Sequence, residues 1–489
     1  MISEFLLGKI DRKDLLYDKA YIGGKWVSSS SNETISVINP ATGAEIATIP
    51  NLTDNDVQHA IDAAKVAFIT WSELLPRERA NLLRNWHDLI LDNTDDLAKI
   101  LTAEQGKPLH EAIGEIKYAA SFVEWFAEEA ARIHGDVYPV DRPDVRYLGM
   151  KEPIGVTAAI TPWNFPSSMV TRKTAPALAA GCTLILKPSD HTPLSALALA
   201  YLANEAGISK GVFNVVTGNA KVIGKKLCDS KDVRKLSFTG STETGKALYT
   251  QCGTTLKKLS LELGGNAPFI VFDDANLELA AEGLSSLKSR STGQACTSAN
   301  RIFIHESVYD AFIKLVIAEY SKLVMCDGFD KECEQGPLIS YDSVKRVASL
   351  VEEAVAAGGR ILYQGNAPQI GCFFPTTVIE VPDVNLRIHG EEIFGPVIAI
   401  YKFSTDEELI KKANNTDYGL SAYFFSNNKS RIWNIAKALE FGMVGINSSK
   451  LSNAAIPFGG VKFSGFGREG SKYGIEEFMH IKYYCFGDI

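Results

Sequence analysis

The feature that most constrains the fold is an alternation, from about Gly155 onward, of short β-branched runs with amphipathic stretches of helical length. Residues 155–160, 183–186, 212–216 and 235–238 are predicted strands, and loops rich in Pro, Asn, Ser or Asp follow the first two. Strands that alternate with helices are typical of a parallel sheet covered by helices. The predicted fold class is therefore α/β.

A second glycine-rich break, at 264–265, interrupts this alternation. After it the pattern resumes with a predicted strand at 266–272, a helix at 277–287 and a strand at 301–305. The break is therefore the predicted domain boundary.

The residues ahead of Gly155 follow a different pattern. Residues 54–133 are mostly helical in pattern, while 137–150 are extended and contain two prolines. On pattern alone, the extended segment fits a projecting arm and an ordinary surface hairpin equally well.

Composition excludes several classes of protein. With 489 residues, 46% apolar and 22% charged, the chain can form two or more packed cores, which excludes a disordered or fibrous protein. The net charge of -8, without a basic run, makes nucleic acid an unexpected partner. Acidic residues interrupt the first 21 positions, and the apolar run 174–186 is too short to span a membrane. We therefore expect a soluble cytoplasmic protein that does not associate with membranes.

The eight cysteines are scattered along the chain without a C-x-x-C pair. Such scatter is typical of reduced thiols in a reducing compartment. No zinc-ligand spacing is present, and we expect no metal site.

Two glycine motifs resemble nucleotide-binding signatures. The G-x-G-x-x-G at 465–470 is followed by only 19 residues, too few for a βαβ unit, so we predict a glycine-rich turn. Residues 240–247 nearly match a P-loop, but Ala247 replaces the hydroxyl that would hold magnesium and argues against an NTPase. This second motif lies between a predicted strand and helix, where free N–H groups can bind a pyrophosphate without magnesium. A purely structural turn is the alternative.

Three residues are of types that could carry out chemistry. Cys296 lies in a small polar segment between a helix and a strand, which suits a reachable nucleophile, although most free cysteines are inert. Glu262 is a lone carboxylate in an apolar strand, where burial would raise its pKa towards that of a general base; a salt-bridged strand end is the alternative. Asn164 follows the first strand and could donate to an oxyanion or simply form a turn.

Seven short motifs, in the same order and spacing, resemble the aldehyde dehydrogenase superfamily and cover nearly the whole chain. They are WNFP (163–166), KPSD (187–190), FTGST (238–242), LELGG (261–265), GQAC (293–296), EEIFGP (391–396) and PFGG (457–460). The resemblance implies a Rossmann-type cofactor domain, an α/β catalytic domain and a small β oligomerisation arm. The predicted bounds are 1–129 and 153–261, then 262–464, and finally 130–152 with the tail 465–489.

The resemblance also implies roles for individual residues. Cys296 would be the nucleophile, Glu262 the general base, and Asn164 with the Cys296 backbone N–H the oxyanion hole. The implied cofactor is NAD or NADP, held by Thr161, Pro162, Trp163, Lys187, Ser189, Asp190, Gly240, Ser241, Glu392 and Phe394. Lys187 and Glu392 would hold the riboses. An acidic residue at 190 favours NAD, yet Ser189 with Lys187 could still receive the 2'-phosphate of NADP.

A closer resemblance is to the succinate-semialdehyde dehydrogenases. Arg172, Arg290 and Ser452 match the positions that bind the distal carboxylate of the substrate in that group, with salt bridges as the alternative for either arginine. The implied assembly is a homodimer or homotetramer. Ser298 stands where some members carry a second cysteine, so we expect no redox switch there. The alternatives are glutarate semialdehyde, a broader range of aldehydes, and an inactive binding protein of the same fold.

Overall fold

The alternation in the sequence appears as strands and helices that follow one another in the computed structural model, which describes residues 1–382 and 385–487. The α-helices in these residues are α1 (Glu4–Lys9), α2 (Asp54–Glu73), α3 (Pro76–Asp92), α4 (Thr94–Gln105), α5 (Leu109–Ala130), α6 (Ser168–Ala180), α7 (Leu194–Glu205), α8 (Ala220–Asp229), α9 (Thr242–Cys252), α10 (Leu277–Ser289), α11 (Tyr309–Tyr320), α12 (Tyr341–Ala356), α13 (Arg387–Gly390), α14 (Asp406–Asn414), α15 (Lys429–Ala438) and α16 (Ser471–Glu476). Short 3₁₀ turns lie at Lys13–Leu15, Arg290–Gly293, Glu306–Val308 and Lys462–Ser464.

The strands of the first half of the chain are β1 (Ala20–Ile22), β2 (Lys25–Val27), β3 (Thr34–Ile38), β4 (Glu45–Pro50), β5 (Asp136–Tyr138), β6 (Val145–Pro153), β7 (Val156–Ile160), β8 (Thr183–Lys187), β9 (Phe213–Val215) and β10 (Val233–Thr239). Those of the second half are β11 (Lys258–Glu262), β12 (Ala267–Val271), β13 (Ala299–His305), β14 (Arg360–Gln364), β15 (Thr377–Glu380), β16 (Val397–Phe403), β17 (Ser421–Phe425), β18 (Met443–Ile446), β19 (Gly465–Phe466) and β20 (Met479–Gly487).

The first large sheet has eight strands in the order β19-β11-β10-β7-β8-β9-β1-β2. Its central pairs, from β11 to β9, are parallel. Strand β8 is buried along its whole length, as expected where helices cover both faces of a sheet. Parallel pairing places Ile160 beside Lys187, and Thr239 beside Glu262, at the carboxyl edge. The loops after β7, β8, β10 and β11, which contain four of the seven motifs, therefore begin at this edge.

The second large sheet has seven strands in the order β14-β15-β16-β13-β12-β17-β18, parallel except for β14. Strand β11 belongs to the first sheet and β12 to the second, with Gly264 and Gly265 in the connection between them. The predicted α/β class is confirmed by these two sheets. The assignment of each sheet to a cofactor or catalytic domain stays a prediction.

A separate three-stranded sheet contains the extended segment whose role the sequence left open. Strand β6 pairs with β5 and, along its whole length, with β20, from Val145 opposite Gly487 to Pro153 opposite Met479. The segment therefore forms part of a sheet with the end of the chain, not an isolated hairpin. Strands β3 and β4 form the remaining two-stranded sheet.

The G-x-G-x-x-G motif at 465–470 begins as β19, which pairs antiparallel with the end of β11. Gly470 follows with a φ of 68° and precedes α16, a helix of six residues. The motif is thus an edge strand and a glycine turn, as predicted. It does not form the strand-to-helix unit of a dinucleotide site.

Candidate active site

A cavity of about 520 Å³ lies at the carboxyl edge of the first sheet and is also lined by loops that flank the second sheet. It collects half of the residues for which the sequence predicts a role. These are Pro162, Trp163, Asn164, Gly240, Ser241, Cys296, Glu392 and Phe394. The other eight, Thr161, Arg172, Lys187, Ser189, Asp190, Glu262, Arg290 and Ser452, lie outside its lining.

Cys296 lies on a loop between α10 and β13 whose backbone is strained. Ser291 and Thr292 just before it have φ values of 49° and 56°, in the left-handed region that side chains other than glycine rarely adopt. Such strain persists only where the surroundings hold the loop in place, and it clusters at functional sites.

Gln294 supplies much of that support. Its buried amide donates to the carbonyls of Ser291 (2.9 Å) and Pro337 (3.2 Å) and accepts from the Ile339 N–H (3.0 Å). In the sequence analysis Gln294 is noted only as a residue of the GQAC motif. Its structural role depends on residues more than forty positions away.

The connection between β11 and β12 passes directly behind the nucleophile. A Cβ atom on Gly265 would lie 2.2 Å from the Cys296 carbonyl oxygen, far inside van der Waals contact. Position 265 therefore requires glycine for the backbone to approach this loop.

Asn164 is buried on the loop after β7, and its Nδ2 donates to the Gln294 carbonyl at 2.8 Å. A primary amide carries two N–H donors, so this bond fixes the side chain and leaves a second donor for a ligand oxygen. Because Asn164 and Cys296 line the same cavity, the second donor belongs to the site in which the thiol would react.

Glu262 is the last residue of β11 and is buried. Within the described part of the chain, neither of its carboxyl oxygens has a hydrogen-bond partner. Burial, reinforced by the nearby Glu469 carboxylate, holds the pKa of Glu262 well above its usual range, although Lys173 and Arg172 oppose the shift. A buried carboxyl with a raised pKa can act as a general base.

The Cys296 thiol is also unfavourably placed for ionisation. Burial raises the pKa of Cys296 to about 12, and the Glu392 and Glu262 carboxyls add to the shift. The thiol is thus protonated at neutral pH and needs a base before it can act as a nucleophile.

The residues predicted to hold the adenosine side of a cofactor lie next to the cavity on the same sheet edge. Lys187 ends β8, is buried and pairs with Asp190 at 2.6 Å; burial lowers the pKa of Lys187. The Thr161 N–H donates to the Lys187 carbonyl at 3.0 Å. The Ser189 hydroxyl accepts from the His191 N–H at 3.3 Å.

The strand-to-helix turn after β10 fits a pyrophosphate. Ser241 caps the 11-residue helix α9 by accepting from the Thr244 N–H, and both Gly240 and Ser241 line the cavity. Helix N-termini with free N–H groups bind anionic phosphates. Glu243 in the first turn is exposed and pairs with Lys246 at 3.2 Å.

The opposite wall of the cavity fits a ribose and a nicotinamide ring. Glu392 accepts from the Gly265 N–H at 3.0 Å, and burial raises the pKa of Glu392 to about 7. Phe394 has a φ of 51°, and its ring contacts Trp163 edge-on at a centroid distance of 5.4 Å. Together with the turn after β10, these residues fit a bound dinucleotide cofactor.

The two predicted carboxylate-binding arginines have different surroundings. Arg172 on α6 is buried, and its Nε lies 3.1 Å from a Glu469 carboxylate oxygen. Arg290 is exposed and lies with its guanidinium 4.6 Å from the Phe165 ring centroid. Among the described residues Arg290 makes no ion pair, so its charge is available to an anion. Ser452 is half-buried in the loop after β18.

Sequence reasoning missed several residues of the site. Arg346 on α12 donates to the backbone carbonyls of Glu392 and Ile393 and lines the cavity, as does Tyr418. Arg346 lies in an ordinary amphipathic helix, and no local motif distinguishes it from a surface residue. Only its position beside Glu392 in the structure shows that Arg346 is part of the site.

With this geometry established, comparison with known proteins identifies the family. Residues 26–484 match the aldehyde dehydrogenase family. The chain belongs to the aldehyde dehydrogenase family. The resemblance predicted from the seven motifs is thereby confirmed.

Individual relatives show which members of the family the chain is similar to. The enzyme is 50% identical, over 98% of its length and 100% of the relative's, to the NADP(+)-dependent succinate-semialdehyde dehydrogenase of Escherichia coli K12. It is also 50% identical to a glutarate-semialdehyde dehydrogenase of Pseudomonas aeruginosa, over 97% and 99% of the two chains. A solved succinate-semialdehyde dehydrogenase from Burkholderia pseudomallei superposes with a TM-score of 0.97 at 50% identity, covering 98% and 99%. These relatives confirm the predicted class, an NAD(P)-dependent oxidoreductase.

The described residues show neither a metal-ligand cluster nor a membrane-spanning helix. Residues 1–382 and 385–487 contain no cluster of three or more His, Cys, Asp or Glu side chains placed to hold a metal ion. Over the same residues, every helix is too short or too polar to cross a membrane.

Proposed function

We propose that the enzyme oxidises succinate semialdehyde to succinate with NAD or NADP, through a thiohemiacetal and a thioester on Cys296. The observation that carries this proposal is the convergence of Cys296, Asn164 and six of the ten residues predicted to bind the dinucleotide on one cavity. An inactive binding protein of the same fold would not need this set of reactive groups.

The first step joins the Cys296 sulfur to the aldehyde carbon. The thiol loses its proton to a base, the sulfur attacks the carbonyl, and the oxygen becomes an alkoxide. The free N–H of Asn164 and the backbone N–H of Cys296 would stabilise this charge.

The second step oxidises the thiohemiacetal to a thioester. A bound nicotinamide cofactor would supply the hydride acceptor for this oxidation. The protein's contribution is to orient the reactants: Lys187 and Glu392 would hold the two riboses, and the backbone at Gly240 and Ser241 would hold the pyrophosphate.

The third step hydrolyses the thioester. Glu262 would remove a proton from water, the resulting hydroxide would attack the acyl carbon, and the Cys296 sulfur would leave and regain a proton. The products are the free thiol and a carboxylate, which balances the reaction without a metal ion.

The distal carboxylate of the substrate would be bound mainly by Arg290. Arg172 already has Glu469 as a partner, and its guanidinium lies 4.7 Å and 4.5 Å from the Phe122 and Phe458 rings. Arg290 makes no ion pair with the residues that the structure describes, and it has a flat aromatic surface beneath it. We therefore assign the first contact with the carboxylate to Arg290, with Arg172 and Ser452 behind it.

Replacing Arg290 with alanine is expected to raise the KM for succinate semialdehyde about 10- to 100-fold, because a hydrogen-bonded ion pair contributes about 1.5–3 kcal/mol. The KM for propanal, which has no carboxylate, should change less than about twofold. Steady-state kinetics with both aldehydes checks this. Arg77→Ala, at an exposed position on α3, is the matched control. Equal increases for the two substrates would contradict the proposed contact.

Glutarate semialdehyde is the second candidate substrate, since a relative named for it matches as well as one named for succinate semialdehyde. The two differ by one methylene, which changes binding by about 1–3 kcal/mol. We expect both to be oxidised, with a higher kcat/KM for succinate semialdehyde, and both NAD and NADP to support turnover. Steady-state measurement of the four combinations tests the assignment. A kcat/KM ten times higher for glutarate semialdehyde would reverse it.

We further propose the domain bounds given above, a cytoplasmic location and a homodimeric or homotetrameric assembly. The three-stranded sheet supports the assembly, because Val137 and Ile481 on it are 77% and 61% exposed. Exposed apolar side chains concentrated on one sheet are typical of a subunit contact.

A further inference from the structure

Residues 105–115, which join the end of α4 to the start of α5, contact both loops of the active site. The sequence motifs assign no role at the site to residues 105–115. Lys107 in this segment is almost fully buried and forms an ion pair with Glu115 at 2.6 Å, with both side chains at most 2% exposed. A buried charge pair is favourable only where its remaining hydrogen-bonding groups are also satisfied.

The Lys107 ammonium uses its donors on the Asn164 loop. Besides Glu115, it donates to the backbone carbonyl of Asn164 at 2.9 Å and lies 4.0 Å from the centroid of the Phe165 ring. An ammonium has three N–H donors, and these three contacts account for them. Lys107 therefore holds the residue whose amide would stabilise the oxyanion.

Glu115 holds the other end of the same loop. Its second carboxylate oxygen accepts from the N–H groups of Ser167 (3.0 Å) and Ser168 (3.2 Å), at the start of α6. A carboxylate at a helix N-terminus satisfies N–H groups that have no partner within the helix. The ion pair thus restrains the loop on both sides of the Asn164 side chain.

The segment also contacts the nucleophile loop. The Ser291 N–H donates to Glu111 at 2.8 Å, and the Gln105 amide donates to the Ser291 hydroxyl at 3.3 Å. Phe165 packs against Ala295, the neighbour of Cys296. One segment therefore makes hydrogen bonds to both the Asn164 loop and the Cys296 loop.

We propose that Lys107 is a positioning residue, which, paired with Glu115, holds the Asn164 amide at the place where it meets the oxyanion formed on Cys296. This inference rests on the oxyanion role of Asn164 in the proposed function. A displacement of a catalytic group by about 1 Å can cost about 100-fold in rate, so the restraint has a measurable consequence.

The test is a double-mutant cycle between the ion pair and Asn164. K107M/E115Q removes both charges at similar volume and leaves a glutamine oxygen for the Ser167 and Ser168 N–H groups. The rate of the first turnover of reduced cofactor is measured by stopped-flow fluorescence, with KM and thermal unfolding in parallel. We expect this rate to fall about tenfold or more, with KM within threefold of wild type.

In the N164A background the same pair of substitutions should reduce the rate of the first turnover by less than twofold, because the amide that the Lys107–Glu115 pair positions is absent. Lys117→Met, exposed on α5, is the control and should leave the rate unchanged. If K107M/E115Q does not fold, Lys107→Gln replaces it, since glutamine is neutral and its amide nitrogen lies one atom closer to the backbone than the lysine ammonium, which weakens the contact with the Asn164 carbonyl.

Each outcome decides the matter. A loss confined to the background that retains Asn164 supports the inference. Equal losses in both backgrounds, or no loss in either, would overturn it and leave the proposed function intact. If N164A by itself reacts at the wild-type rate, the oxyanion role of Asn164 fails, and the inference fails with it.

Discussion

Replacing Cys296 with alanine is expected to reduce aldehyde oxidation by at least about 10⁴-fold, since removal of a covalent nucleophile eliminates the pathway that it opens. The fold should persist, because the substitution only shortens a half-buried side chain at the cavity. The measurement is the rate of NAD(P)H formation with succinate semialdehyde, together with thermal unfolding. Cys485→Ser, at an exposed position on β20, is the matched control and should retain full activity.

The pH dependence of alkylation provides an independent check on the same sulfur. With the pKa of Cys296 raised to about 12, only about 10⁻⁴ of the thiol is ionised at pH 8. In the cofactor-free enzyme, iodoacetamide should therefore modify Cys296 more slowly than the exposed Cys485, and its rate should rise about tenfold per pH unit between pH 7 and 9. Oxidation at wild-type speed by the alanine variant would refute the mechanism.

Replacing Glu262 with glutamine is expected to separate the two halves of the reaction. A first burst of reduced cofactor should remain, while steady-state turnover falls about 10²- to 10⁴-fold, because a neutral amide cannot remove a proton from the hydrolytic water. Stopped-flow fluorescence with excess substrate measures both phases. Glu282→Gln, on the exposed face of α10, is the control.

The pH dependence of steady-state turnover tests the same role of Glu262 in a second way. A general base works when deprotonated, so wild-type turnover should increase as the pH rises through the elevated pKa of Glu262. The residual turnover of the glutamine variant should lack this increase. Loss of the burst together with turnover would instead assign Glu262 to the deprotonation of Cys296 in the first step.

Local sequence predicted the strands of the first sheet well, because each strand is a short buried run between polar loops. The predicted strand at 183–186 is β8, Thr183–Lys187, and the one at 235–238 lies within β10, Val233–Thr239. It also placed Asn164 and Cys296 among the reactive groups, since Asn164 follows the first predicted strand and Cys296 lies in a small polar segment between a helix and a strand. Both line the cavity.

The surroundings of these residues were not predictable in the same way. By its motif, Arg172 is a candidate to bind a carboxylate, but in the structure it lies against Glu469. The Glu469 carboxylate also lies 2.5 Å from the Lys173 ammonium, and these two residues are 296 positions apart in the chain. A motif reports the type of a side chain, whereas its charge state and availability depend on which distant groups pack against it.

The sequence by itself therefore determined the α/β class, the family and the residue types of the chemistry, because all three are encoded in local patterns and short motifs. Tertiary structure alone decided that Arg290 makes no ion pair within residues 1–382 and 385–487, that Gly265 lies against the Cys296 backbone, and that Lys107 holds the Asn164 loop. The physical reason is that burial and pairing arise when distant segments pack together. They set the pKa of Cys296 and Glu262 and the position of the amide, which local sequence does not specify.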